Sequence, residues 1–95
     1  MTISKTKIKR KYYSIGEVAK MAEIATSAIR FYEKDIVLIK SKRQKNKDRR
    51  YTPFQVSKIL TTHYLRTKGM SIIAIDTALG AGYALELVNF FQNRA

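Results

Sequence analysis

The densest chemistry in the sequence is cationic. Lys40, Lys42, Arg43, Lys45, Lys47, Arg49 and Arg50 fall within residues 40–51, with Asp48 as the one acid among them. Seven like charges in so short a segment repel one another unless a polyanion neutralises them, and guanidinium and ammonium groups are the donors that phosphates take. Upstream, Thr26, Ser27, Arg30 and Tyr32 lie close together. Two small hydroxyls can bond bases or phosphates, an Arg can reach guanine or phosphate, and a Tyr hydroxyl can donate to phosphate or belong to a core aromatic. Arg66 is a further cation, either a phosphate contact or a surface residue.

Catalytic constellations are missing. With one His and no Cys there is no thiolate zinc site, no disulfide framework and no cysteine nucleophile. There is no phosphate-binding glycine loop and no nucleophile elbow. His63 sits at helix-core spacing and reads as structural. Glu33 and Asp35, beside Lys34, read as surface residues and anchors between helix and wing rather than as an acid–base pair. The expectation is a protein that is not an enzyme and uses no cofactor and no metal.

The elements that must position these residues follow from capping and periodicity. Ser14-Ile15-Gly16-Glu17 is a capping box, followed by Val18, Ala19 and Ala22 at helical spacing. After Glu23-Ile24-Ala25 a second short helix runs from Thr26 to Lys34, with Ala28, Ile29 and Tyr32 inward and Thr26, Ser27 and Arg30 outward. Two short helices so joined suggest a helix-turn-helix. Ile36 to Ile39 is a β-branched apolar run, and Arg49-Arg50-Tyr51 reads as its returning strand, so residues 40–51 form a basic β wing. Thr52, Pro53 and Gln55 open a third helix carrying Val56, Ile59, Leu60, His63 and Tyr64, which closes at Lys68 and Gly69. Ser71 caps a fourth helix through Ile72, Ile75 and Leu79, ended by Gly80-Ala81-Gly82. Residues 83–93 form a last helix with Ala84, Leu87, Val88 and Phe91 on one stripe and Leu85 and Phe90 outside it. The fold class is mainly α, a winged helix-turn-helix.

The chain of 95 residues is long enough for one domain and its 45% apolar content is enough for a core. Its net charge of +12 is unevenly spread. Residues 1–13 carry five positive charges and residues 40–51 net to +6, whereas residues 14–39 net to −1. This is the electrostatic footprint of a nucleic-acid binder. A membrane surface is the main competitor for such charge, but the cations do not line an apolar helix, and no run is long enough to span a bilayer. The expected location is the cytoplasm. Residues 1–11 read as a flexible basic arm, 12–79 as the DNA-binding domain and 80–95 as a short C-terminal helix.

Tyr13-Ser14-Ile15-Gly16-Glu17-Val18-Ala19, Ala28-Ile29-Arg30-Phe31-Tyr32-Glu33, Arg49-Arg50-Tyr51-Thr52 and Leu65-Arg66-Thr67-Lys68-Gly69-Met70-Ser71 resemble, in order and spacing, the MerR family of bacterial transcription regulators. The resemblance covers residues 12–79. It implies a recognition helix (26–34) in the major groove of double-stranded DNA, a wing on the phosphates, and a dimer that bends promoter DNA for RNA polymerase. It places Arg30, Tyr32, Arg49 and Arg66 at family positions that touch DNA, and Thr26 and Ser27 at positions that tune sequence choice. The sequence departs from the family pattern in four places. Glu23 stands in a turn that usually holds Gly. Ala25 stands where a Ser or Thr cap is usual, leaving Thr26 to cap the second helix. Asp35-Ile36 replaces Gly-Leu, and Lys47-Asp48 replaces the Gly-Tyr of the wing tip. Family members continue into a long dimerisation helix and an effector domain, whereas this sequence ends soon after residue 83. A truncated regulator, a DNA-binding fragment and a stand-alone member all fit that length. The last helix is expected to pair two copies through residues 83–93. An excisionase-like DNA-bending factor has the same fold and charge and is the alternative. An RNA-binding protein is disfavoured by the lack of clamping loops.

Overall fold

In the computed structural model, residues 12–40, 42–43 and 49–93 are described. The basic arm (1–11) and the wing tip, with Lys45 and Lys47, lie outside them. The described elements are α1 (Ile15–Ala22), α2 (Thr26–Asp35), a 3-10 turn (Val37–Ile39), β1 (Lys42–Arg43), β2 (Arg49–Arg50), α3 (Pro53–Thr67), α4 (Ile72–Ala81) and α5 (Ala84–Asn93). The architecture is the expected helix-turn-helix, wing and helical pair.

Local chemistry starts and stops each helix. At α1 the Ser14 hydroxyl accepts from the Glu17 amide at 3.2 Å, and the Glu17 carboxylate accepts from the Ser14 amide at 2.9 Å. The helix ends at Glu23, whose φ of 58° is left-handed. There the Ile24 amide returns to the Ala19 carbonyl at 3.0 Å, the wrapped-back closure that usually employs glycine. This turn swings the chain into α2. Its cap is Ala25, with no side-chain hydrogen bond, so Thr26 is not the cap but the first helical residue. The Ala25 carbonyl already accepts from the Ala28 amide at 3.0 Å, which fixes the boundary one residue before the hydroxyl.

The apolar run after α2 is not a strand. Val37–Ile39 forms a 3-10 turn, and Ile36 and Ile39 are both completely buried. A turn of three residues per revolution puts positions i and i+3 on one side; a strand would have paired Ile36 with Leu38, which is exposed. The wing strands come later and are shorter than expected. β1 and β2 pair antiparallel with Lys42 opposite Arg50 and Arg43 opposite Arg49. Tyr51 pairs with Tyr13 instead of the wing.

α3 opens on the expected capping box, Thr52 with Gln55, and Pro53 at its first position. It is the central helix, packing on α1, α2, α4, α5 and the 3-10 turn. Val56, Ile59, Leu60 and Leu65 are buried along it. So are Thr61 and Thr62, whose hydroxyls bond the carbonyls of Ser57 and Lys58 at 2.9 and 2.8 Å and so enter the core satisfied. α4 is capped by Ser71 and ends at Gly82, whose φ is 85°. The chain then bends by 116° into α5, which buries Ala84 and Val88 and leaves Leu85 and Phe90 exposed.

Candidate nucleic-acid interface

α2 presents two contrasting faces. Ile29, Tyr32 and Glu33 are buried against the domain. Ser27, Arg30, Phe31 and Lys34 are exposed, and their spacing of three and four residues makes them one outward stripe. The stripe combines a hydroxyl, two cations and an aromatic ring, and Phe31 is 48% exposed. No side-chain oxygen caps α2, so its first-turn amides and the positive end of its dipole remain for an outside acceptor. Thr26, at that end, is half-buried and Ser27 is exposed.

Glu33 corrects the expectation of a surface acid. It is buried, while Asp35 is exposed. The reason is register: Glu33 lies four residues after Ile29, on the inward face of the helix.

Tyr32 joins α2 to α3. Its ring is buried and its hydroxyl lies 3.1 Å from Nδ1 of His63. Arg66, one turn further along α3, is near enough for its charge to act on the same hydroxyl. Burial raises the pKa of the Tyr32 phenol above its ordinary value, and the positive charge of Arg66 partly offsets this. Burial lowers the pKa of His63, because a half-buried imidazole loses hydration when charged. Arg66 itself is exposed and donates through Nη1 to the Met70 carbonyl at 3.2 Å, which directs its stem along the α3–α4 corner.

The wing contributes cationic residue types at every paired position: Arg43, Arg49 and Arg50 enter it together with Lys42. Its base is held by the Tyr13–Tyr51 backbone pair and by the Gln55 side-chain amide, which donates to the Lys40 carbonyl. Among the described residues no group of three His, Asp or Glu side chains could hold a metal.

Sequence reasoning did not single out Phe31, Lys34 or His63 as site residues. Lys34 carried a usable signal, since it lies four residues after Arg30. His63 carried one too, three residues before Arg66. The exposure of Phe31 had none, because an aromatic in an apolar-rich helix reads as core.

The comparisons with known proteins agree with this geometry. Residues 13–81 match the MerR HTH family regulatory protein. The HTH-type transcriptional regulator ZntR of Escherichia coli K12 is 35% identical over 67 residues, 70% of this chain and 48% of that protein. The chain thus spans about half the length of the curated relatives it matches. Among solved structures, HiNmlR, a MerR family regulator lacking the sensor domain and bound to promoter DNA, superposes with a TM-score of 0.63. It is 25% identical, and the match covers 86% of this chain and 66% of that one. A MerR family transcriptional regulator from Bacillus cereus has the same fold, with a TM-score of 0.63 at 19% identity, covering 87% of this chain and 71% of that one. With the family match running over residues 13–81, the chain belongs to the MerR family of helix-turn-helix regulatory proteins.

Proposed function

We propose that the protein is a sequence-specific transcription regulator that binds double-stranded DNA as a homodimer. α2 enters the major groove, where Thr26, Ser27 and Arg30 meet base edges and adjoining phosphates. Arg43, Lys45, Lys47, Arg49 and Arg50 of the wing neutralise phosphates beside the groove, and Tyr32 and Arg66 hold a further phosphate. The observation that carries this reading is the outward stripe of α2, Ser27, Arg30, Phe31 and Lys34, on a helix whose opposite face is locked into the core.

The homodimer forms through residues 83–93. Leu85 and Phe90 are 59% and 51% exposed on a helix whose other face is packed, and covering them with a second copy removes apolar surface from water. Two-fold pairing calls for a palindromic site, and regulation then acts through RNA polymerase at the bound promoter. Among the described residues no single helix is long and apolar enough to cross a membrane, and we place the protein in the cytoplasm, with its DNA.

The test is selection from a random duplex library. Enrichment of an inverted repeat supports the reading. Cooperative binding along direct repeats supports the excisionase-like alternative, and failure to enrich any sequence overturns both.

A further inference from the structure

We propose that His63 is a positioning residue for the phosphate contact: by its bond to the Tyr32 hydroxyl it sets whether that hydroxyl can donate to DNA beside Arg66, so that DNA binding takes up one proton at His63. The proposal rests on the DNA-binding reading and deepens it.

A phenol has one hydrogen to donate. The Tyr32 hydroxyl lies 3.1 Å from Nδ1 of His63, and the Arg66 guanidinium is near enough for its charge to act on the phenol. Arg66 can only donate, so it cannot take the phenol hydrogen. When His63 is neutral and accepts at Nδ1, the phenol hydrogen is committed to the imidazole and none is left for a phosphate. When a proton from solvent binds at Nδ1, that nitrogen becomes the donor and Tyr32 becomes its acceptor. The phenol hydrogen is then released toward the Arg66 side, and the imidazolium adds a positive charge behind it. The only bond made is the N–H bond, and the proton comes from the solvent.

The environment sets the resting state. Burial lowers the proton affinity of His63, and it is the one cause of that lowering. Tyr32 from α2 and Arg66 from α3 are the groups set against this contact. Lys20 of α1, Glu33 of α2, Lys40 beyond the 3-10 turn, Asp76 of α4 and Glu86 of α5 are charged groups on the elements packed around α3. None of them is a cause of the lowered proton affinity. The free protein therefore holds a neutral ring at neutral pH, and with that ring's one proton on Nε2, Nδ1 accepts and the contact is closed inward. A phosphate brought beside Arg66 supplies the missing negative charge, which favours the imidazolium, and by linkage protonation favours binding. Arg66 is exposed and already turned along this corner by its bond to the Met70 carbonyl, so the phosphate can approach without unpacking the domain.

The experiment is fluorescence anisotropy with a duplex recovered by selection, at constant ionic strength, between about pH 5.5 and pH 8, the range in which histidine titrates. Wild-type affinity is expected to rise about three- to tenfold on acidification, the span one linked proton allows. His63→Asn keeps an amide that can bond the Tyr32 hydroxyl but does not titrate, and its affinity is expected to stay flat. Tyr32→Phe keeps the ring in the core and is expected to bind more weakly and to lose the pH response. Thermal melts establish that each variant is folded. Calorimetry on the wild-type protein, in buffers of differing ionisation enthalpy, reads the proton directly and needs no variant. Uptake approaching one proton per protomer near pH 6 is expected. No uptake, or an equal pH response in His63→Asn, overturns the role of His63 while leaving DNA binding standing. Failure of the wild-type protein to bind the selected duplex at any pH overturns the DNA reading itself.

Discussion

Tyr13 and Tyr51 exchange both of their backbone hydrogen bonds, each amide to the other's carbonyl at 2.9 Å. Both side chains are buried. This pair ties the residues just before α1 to the residue between β2 and α3, so the helix-turn-helix and the wing leave the core from one point. The proposed DNA-binding surface is assembled from separate segments, and a shared anchor of this kind limits how far they can shift against one another.

The closing turn of α1 is strained. Glu23 occupies the left-handed region with φ 58°, a conformation that costs a residue with a Cβ roughly 1–2 kcal/mol. Glu23→Gly removes that cost and adds unfolded-chain entropy, so a net gain of about 0.5–1 kcal/mol is expected. Glu23→Val is expected to lose stability. Urea unfolding of the three proteins checks this; a Gly variant less stable than wild type contradicts it.

The 3-10 turn fastens the wing to the core through Ile36 and Ile39, both fully buried. Ile39→Ala is expected to cost about 2–5 kcal/mol, the usual range for a large-to-small change in a packed site. Leu38→Ala, at an exposed position, is expected to cost far less. Chemical denaturation separates the two, and similar losses would favour an extended strand over the turn.

That turn also shows where sequence reading stops. The capping boxes at Ser14 and Thr52 and the cap at Ser71 placed α1, α3 and α4, because a side chain that satisfies an orphan amide is a local event. The run Ile36 to Ile39 read as a strand because β-branched residues favour one. Its conformation is decided by α2, α3 and α4, which take Ile36 and Ile39 together into the core. The burial of Glu33 and the exposure of Phe31 are likewise outcomes of how α2 docks, and no local pattern specifies them. Ser27 and Arg30 were legible as outward positions from the helical period, whereas Arg66 read as either a phosphate contact or a surface residue. Lys45 and Lys47 lie outside the described residues, and the parts assigned to them rest on charge and on family resemblance.

Acid should weaken the free protein. Burial lowers the pKa of His63 in the folded state below the ordinary 6.5, so over a window beginning near that value and running downward the unfolded chain binds more protons. Stability then falls as pH drops through that window and levels off above it. Thermal melts across pH check this. His63→Asn is expected to flatten the acid limb, and an unchanged limb contradicts the assignment to His63.

The α5 face can be tested without DNA. Leu85→Glu with Phe90→Glu replaces two exposed apolar residues with charges that repel across a two-fold contact. The double variant is expected to be monomeric by light scattering with a melting temperature close to that of the monomer domain, because neither side chain lies in the core. Equal masses for variant and wild type would remove α5 from the interface.

The most direct test of the central claim is the ratio of affinities for a selected duplex and a scrambled one, measured at one salt concentration for wild type and Arg30→Ala. Specific regulators bind their sites at least about a thousandfold more tightly than unrelated DNA. Wild type is expected to reach that ratio. Arg30→Ala is expected to remain folded, to lower the ratio by about ten- to a hundredfold, and to bind scrambled DNA only slightly less well. A wild-type ratio near one, or a ratio that Arg30→Ala leaves unchanged, would contradict α2 as the element that reads the sequence.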